Sequence, residues 1–410
     1  MKENGRHFVG LDVGSSKICV LVCEDRDDGR LHLCGSGLAD SRGFRKDTLI
    51  NFNAAVEAVR EAVEAAERAS GVVIEGATIG IAGRHIRSLN SRGGVPLGPR
   101  VREVEPDDIR RAVEAARGVT LPPDQELLHV LPQEFLLDQQ DGLRDPRGLL
   151  GKRLEVNVHI VTTAATATQN LIAAVNRAGV VVEDTVFEPL AAAEASLTPD
   201  ERELGVVLVD TGGGSTDWIS YEHGAPRTSG MVPIGGEHFT SDIAIGLHTP
   251  LWEAERIKRA HGCASLAAIS QDTLFEAAGM GERPPRVVSR RALGEILEPR
   301  AQEWLMLLRD SLERSGCTRL PPAGLVLTGG AAQLEGLGEL AAETLGVSAR
   351  LGLPRGLVGA NGTLANPGCT AVVGLVLHAR RLRQASQQAN GGIMNRLRNL
   401  LNGKTRAAGA

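Results

Sequence analysis

Short apolar runs bounded by polar turns alternate, along most of this chain, with longer segments whose apolar residues recur at helical spacing. "HFVGLDVGSSKICV" predicts strands at Phe8–Leu11 and Ile18–Cys23 around a turn, and Leu31–Leu38 predicts a third strand of the same sheet. Asn53–Ala69, rich in Ala, Glu and Val, predicts a helix, and "GVVIEGATIGIAG" a loop and strand. This order points to a mixed α/β sheet rather than an all-parallel one.

The pattern changes between about Arg84 and Ile160. A helix is predicted at Pro106–Arg117, then come the Pro-rich "TLPPDQ" and two alternating runs, "LLHVLPQEFLL" and "LEVNVHIV". Together they read as a small inserted α+β module. The α/β pattern resumes with a helix at Thr166–Ala178 ending at Gly179 and reaches a second strand–turn–strand, "GVVLVDTGGGSTDW". A long helical stretch from His238 to about Ala268, a less ordered region around "GMGERPPRVV", a helix at Ser289–Ser315 and the strand–Gly–Gly–helix "AGLVLTGGAAQLEGLGELAAETLG" follow. After Ala379 the polar "RRLRQASQQANGG" reads as a linker before a last apolar-periodic segment, "IMNRLRNLLNG".

Length and composition narrow the class. A chain of 410 residues is expected to divide into at least two compact units. Aromatics make up 3%, so the cores must be built from Val, Leu, Ile and Ala. A net charge of −5 argues against a basic surface for nucleic acid, and no nucleic-acid partner is expected. Six cysteines without a CxxC pair suggest buried thiols in a reducing compartment rather than a disulfide framework. "MKENGRHFVG" lacks the apolar core of a signal peptide, and no run approaches the roughly 20 apolar residues of a membrane span, so the chain is expected in the cytoplasm.

The two turns carry the candidate chemistry. Asp12 ends a strand, Gly14 allows a sharp turn, and Ser15, Ser16 and Lys17 offer amides, hydroxyls and an ammonium group. In the second turn Gly212, Gly213 and Gly214 leave backbone amides open to an anion, and Ser215 and Thr216 add donors. Two such hairpins face to face could hold a polyphosphate, with Asp12 and Asp210 balancing a hydrated Mg²⁺. Neither turn fits a Walker P-loop, because Lys17 is followed by Ile18 in a strand, nor a GxGxxG fingerprint. Gly329 and Gly330 would let a nucleoside lie on the backbone beside a helix start.

Two phosphate hairpins followed by strand–Gly–Gly–helix resemble the actin-like ATPase superfamily. Within it the chain resembles the FtsA family over almost its full length, through "VGLDVGSSK", "IAGRHIRSLNSRG", "LHVLPQEFLLD", "LEVNVHIVT", "VFEPLAAAEASL", "VVLVDTGGGSTDW", "EAERIKRAHGCA" and "LVLTGGAAQLEG". The resemblance implies a two-lobed actin-like fold with duplicated mixed-sheet domains. The first lobe would comprise residues 1–83, 162–190 and 360–380, interrupted by an α+β insert at 84–161; the second would comprise 191–359. A flexible linker at 381–391 and an amphipathic helix at 392–403 would follow.

It also implies ATP and Mg²⁺ in the central cleft, bound by both hairpins, Gly235, Gly236, Gly329 and Gly330. Glu188 matches the position that orients the attacking water, with Asp12 and Asp210 completing the catalytic set; Glu188 also reads as a helix-start carboxylate favoured by the dipole ahead of Pro189. Glu255 and Lys258, three apart on one helix face, could reach ribose and base or form a solvated ion pair. Asp47 falls where the family usually has glycine.

On a helical projection Ile393, Met394, Leu397, Leu400 and Leu401 share an arc of about 120°, flanked by Arg396 and Arg398. Such a face suits the interface of an anionic membrane, or a groove on protein. The resemblance implies a division protein that self-associates into filaments on the inner face of the cytoplasmic membrane at the septum. It would anchor the FtsZ ring and help recruit later division proteins, with at most slow ATP hydrolysis. An actin-like pilus-assembly ATPase and a superfamily kinase are the alternatives; no convincing aspartate base for a kinase is present.

Overall fold

The computed structural model describes residues 7–402 except 282, 361 and 363, with side chains described as far as residue 386. Two sheets organise it; five strands of each share one topology, and the first has a sixth at its edge. In the first, the strands run Val181–Phe187, Gly76–Ile81, His7–Val13, Lys17–Asp25, Leu31–Asp40 and Leu357–Val358. In the second they run Ala349–Leu351, Leu325–Thr328, Val206–Thr211, Thr216–Glu222 and Ala225–Val232.

Each sheet begins as an antiparallel meander of three strands and continues through two parallel strands beside the first. The parallel strands need crossovers, and helices such as Phe52–Ser70 supply them. This is the expected duplicated actin-like α/β architecture.

Burial explains the sequence pattern. Val206–Thr211 is buried at every position, which is why it reads as a continuous apolar run rather than an alternating one. The first lobe's core joins Leu11, Ile79, Val59 and Phe187, and the second lobe's core centres on Trp304, Phe239 and Leu327. Phe52–Ser70 starts at Asn51, whose side chain accepts from Ala54 N–H, and stops at Gly71 in left-handed conformation (φ 69°).

The α+β insert is a four-stranded antiparallel sheet, in the order Gln140–Leu143, Gln125–Leu137, Arg153–Ala164, Arg87–Pro96, with its own core. The helix Pro106–Arg117 lies on it. Asp108 at that helix start accepts from Glu105 N–H, Arg102 and Arg111, which hold its carboxyl well below the usual range.

Several expectations are corrected. The helical stretch from His238 is two helices, Gly236–Leu247 and Leu251–His261, because His248 turns left-handed (φ 45°) and Pro250 cannot donate into a continuing helix. Within "GMGERPPRVV" the last residues start a strand, Arg286–Ser289, paired with Leu274–Ala277. The last helix runs Thr370–Asn402 and crosses residues 381–391 without a break. That segment has no proline and is rich in helix formers, so its polarity does not stop the helix.

The first turns of this helix belong to the first lobe: Val372, Val373, Leu375 and Val376 are buried. Gly374 lies directly on the carbonyl of Ala191, where no side chain fits. Four of the six thiols are buried, Cys34 and Cys317 are half-buried, and all six are free, as expected of structural cysteines. Among the described residues no helix is long and apolar enough to cross a membrane.

Candidate functional site

The two turns are built alike, from backbone bonds upward. Gly14 N–H donates to Lys17 O at 3.1 Å and Gly212 N–H to Ser215 O at 2.9 Å. The flanking register places Asp12 opposite Cys19 and Asp210 opposite Asp217, so the two aspartates hold the same place in the two sheets. The hairpins meet: a Cβ added to Gly213 would stand 3.3 Å from Ser16 N. A side chain at Gly213 would be crowded against that turn, so glycine eases the approach.

Around this junction the chain gathers negative charge. Burial pushes the carboxyl of Asp12 up to about 6, against the pull of Lys17. Burial, with the nearby charges of Asp12 and Asp217, pushes Asp210 up to about 8. Glu188, first residue of the helix Glu188–Ser196, is raised strongly by burial and then by Asp12 and Asp210. The residue before it is held from the insert, since Phe187 N–H donates to His129 Nε2 at 2.9 Å. Burial lowers His129 to about 4, which keeps that nitrogen an acceptor at neutral pH.

Three buried side-chain oxygens lack a partner among the described residues: Ser41 Oγ, Asp47 Oδ2 and Thr211 Oγ1. All three border the hairpins. Thr211 opens the second turn, Asp47 hydrogen-bonds Ser15, and Ser41 N–H donates to Ser16 O at 3.1 Å. Orphaned oxygens and crowded carboxylates at one junction suit a ligand that brings hydrogen-bonding groups and positive charge. Among the described residues no group of three His, Cys, Asp or Glu side chains could ligate a metal directly. An ion balanced by Asp12 and Asp210 would therefore keep its water and phosphate ligands, the habit of Mg²⁺.

Most predicted residues converge. Gly235 and Gly236 start the helix Gly236–Leu247, tied to the second hairpin by Gly236 N–H to Gly212 O and Glu237 N–H to Gly213 O, each 2.9 Å. A Cβ on Gly330 would meet open space, so its backbone is uncovered on that side. Lys258 and Glu255 pair with each other at 2.7 Å, and Lys258 also donates to Gly236 O at 2.9 Å and Thr240 Oγ1 at 2.8 Å. The ion pair is present, and it borders the cleft at Gly236.

Two expectations change. Thr216 hydroxyl does not point to an anion: it donates to Ile234 O and accepts from Trp304 Nε1 inside the second lobe. A 3₁₀ turn, Gly330–Gln333, follows Gly329, and the helix starts only at Leu337, so the paired glycines do not sit at an α-helix N-terminus. The membrane residues Ile393, Met394, Arg396, Leu397, Arg398, Leu400 and Leu401 lie on the last helix, but their side chains fall outside the described residues.

Sequence reasoning missed other members. Asp217, raised to about 7 by burial and then by Asp47, accepts from Ser215 Oγ and from Gly83 N–H. Its signal was a carboxylate at the start of an otherwise buried strand. The turn Asn366–Cys369 closes the base of the cleft through Gly329 N–H to Pro367 O, 3.1 Å, with Lys17 Nζ beside Gly368 and 3.9 Å from Cys369 Sγ. Asn-Pro-Gly is a turn signal that could have found it, but such a signal gives no hint of where the turn docks.

Comparison with known proteins adds to this geometry. A family model described as the cell division protein FtsA matches residues 207–374, and one described as the SHS2 domain inserted in FtsA matches residues 83–162. The chain is 44% identical to the cell division protein FtsA of Pseudomonas aeruginosa over 376 residues, covering 92% of this chain and 90% of that protein. It is 38% identical to that of Neisseria meningitidis, covering 97% and 96%, and 36% identical to that of Escherichia coli, covering 91% and 90%. Among solved structures it is similar to a PilM–PilN type IV pilus biogenesis complex, with TM-score 0.66 at 19% identity over 91% of this chain and 98% of that one. It is also similar to MreB5 of Spiroplasma citri bound to ADP, with TM-score 0.56 at 12% identity over 93% and 99%. At such identities these two show the shared fold alone.

Proposed function

Because the chain belongs to the FtsA family of cell division proteins, we propose that it binds ATP with Mg²⁺ between its lobes and assembles into actin-like filaments that anchor the FtsZ ring to the inner face of the cytoplasmic membrane. The observation that carries the nucleotide reading is the face-to-face meeting of two hairpins of identical construction at a junction crowded with buried carboxylates and orphaned oxygens. A polyphosphate gripped from both sides is the reason for making the turn twice.

In this reading the amides of Ser15 to Lys17 and of Gly213 to Ser215 hold phosphate oxygens, and Lys17 adds positive charge. Asp12 and Asp210 orient the waters of the cation. Mg²⁺ would supply the charge that neutralises phosphate and carboxylates together. Glu188, held strongly basic by its burial among carboxylates, is the residue to orient a water for hydrolysis, which would be slow in a protein acting chiefly as a nucleotide-dependent scaffold. Gly330 and the Glu255–Lys258 pair would border the nucleoside.

Membrane attachment rests on the sequence of the tail. Its apolar arc with flanking arginines suits a leaflet of anionic lipid, and one copy would bind weakly. Filament growth, favoured by ATP, would gather many tails and make attachment firm. Location at the septum, and contact with FtsZ and later division proteins, are proposed on the strength of family membership.

Co-sedimentation with anionic liposomes tests the whole reading. The full chain should pellet with the vesicles, more so with Mg-ATP, and Leu397→Glu should stay in solution. If chain and variant behave alike, the tail is not the anchor and the tethering role fails.

A further inference from the structure

Between the strands Phe44–Arg45 and Thr48–Leu49, which pair Phe44 with Leu49 and Arg45 with Thr48, lies a two-residue turn, Lys46–Asp47. Both residues have positive φ, 47° and 61°, the backbone of a type I′ turn, which usually selects asparagine and glycine. The chain places a lysine and an aspartate there, and the tip of this small hairpin reaches the junction of the two phosphate-type turns.

Asp47 is held from both lobes. Its N–H donates to Ser15 Oγ at 2.8 Å, and Ser15 Oγ donates to Asp47 Oδ1 at 2.6 Å. On the other side its carboxylate lies on the second turn: a Cβ added to Gly214 would stand 2.6 Å from Asp47 Cγ. A Cβ on Gly83 would stand 2.8 Å from Asp47 Cβ. The other oxygen, Oδ2, is buried without a partner among the described residues. The neighbouring carboxylates Asp217 and Glu237 both feel the charge of Asp47. A carboxylate therefore rests against Ser15 and Gly214, where backbone turns are shaped to receive an anion, in the company of further negative charge.

We propose that Asp47 is a built-in competitor for the terminal phosphate of the nucleotide, so that a nucleoside triphosphate binds only as the Lys46–Asp47 tip withdraws from Ser15 and Gly214. The inference rests on the reading of the cleft as a nucleotide site. Its chemistry is direct: two anions cannot share one set of donors without repulsion, and the phosphate must take the Ser15 hydroxyl that Asp47 now holds. A diphosphate, one phosphoryl group shorter, meets Asp47 less closely. Asp47 thus acts as a positioning residue that sets the preference between tri- and diphosphate and links nucleotide state to the position of the Phe44–Leu49 hairpin.

Calorimetric titration of the full chain and of Asp47→Gly and Asp47→Asn, with ATP and with ADP, each with Mg²⁺ and with EDTA, tests this. Both variants suit the left-handed turn, glycine by lacking a Cβ and asparagine by tolerance, so both should fold. ATP should bind each variant more tightly than the parent by on the order of tenfold, with a larger gain in EDTA, where no cation screens the repulsion, and a smaller gain for ADP. If the parent binds ATP and the variants bind it equally or more weakly, Asp47 does not compete and the proposal is overturned while the nucleotide site stands. If neither parent nor variants bind any nucleotide, the reading of the cleft falls, and the proposal with it.

Discussion

Asp217, on the strand leaving the second hairpin, accepts the backbone N–H of Gly83 at 3.1 and 3.2 Å through its two carboxylate oxygens. Gly83 follows the first-lobe strand Gly76–Ile81 and leads into the insert, so one buried carboxylate ties the second lobe to the point where the insert leaves the first. A buried amide left without an acceptor is costly, so this bond matters at the junction.

Asp217→Ala leaves Gly83 N–H and the Ser215 hydroxyl without an acceptor. We expect amide exchange at Gly83 to speed up by about tenfold or more, the effect of losing about 1–3 kcal/mol of local protection. Asp217→Asn keeps an acceptor oxygen and should stay close to the parent. Unchanged exchange in the alanine variant would show that the bond does not hold this junction.

Asp210 sets a pH dependence of stability whose sign follows from its raised carboxyl. The value of about 8 lies above the ordinary 3.8, so ionising Asp210 opposes folding. Stability linked to this group is fully present below about pH 4 and is lost as pH rises through about 8. Asp210→Asn should therefore melt about as the parent does near pH 4.5 and about one to two degrees higher at pH 8.5, roughly the effect of 1 kcal/mol in a chain of 410 residues. It should bind Mg-ATP more weakly. A lower melting temperature at pH 8.5 would contradict the charge-crowding account.

Gly374 sits where the last helix crosses the helix Glu188–Ser196, against the carbonyl of Ala191. In an exposed helix Gly→Ala would stabilise by about 1 kcal/mol. Here Gly374→Ala should destabilise by about 1–3 kcal/mol, because a Cβ forces the two backbones apart. Thermal melts of the full chain decide the sign.

Glu201 is held down to about 2 by Arg350, which donates to it at 2.6 and 2.7 Å, and by Thr198 N–H. Its contribution is present above its ordinary value of 4.5 and is lost as pH falls toward about 2. Glu201→Gln should cost about 1 kcal/mol at pH 7, with the difference from the parent shrinking below pH 4.5. Urea titrations at pH 7 and pH 3 measure both ends.

Much of this protein follows from local chemistry that any reader of the chain can apply. The paired Asp-turn motifs, the apolar runs around them and the helix at Pro106–Arg117 depend on residues near in sequence, so spacing and turn chemistry reveal them. Pro250 is a helix breaker in the sequence, yet the helical periodicity on both sides concealed the break that it and His248 make. What only the tertiary structure decided is which groups meet. The Thr216 hydroxyl turns into the second lobe because Trp304, 88 residues away, offers it an N–H. Asp217 finds Gly83 and Asp47 finds Ser15 and Gly214 because separate strands bring them together. Periodicity records which face of an element is buried; it carries no information about the partner that buries it. The charge at the cleft is therefore a property of the fold, since five carboxylates spread along the chain repel one another only where the two sheets set them side by side.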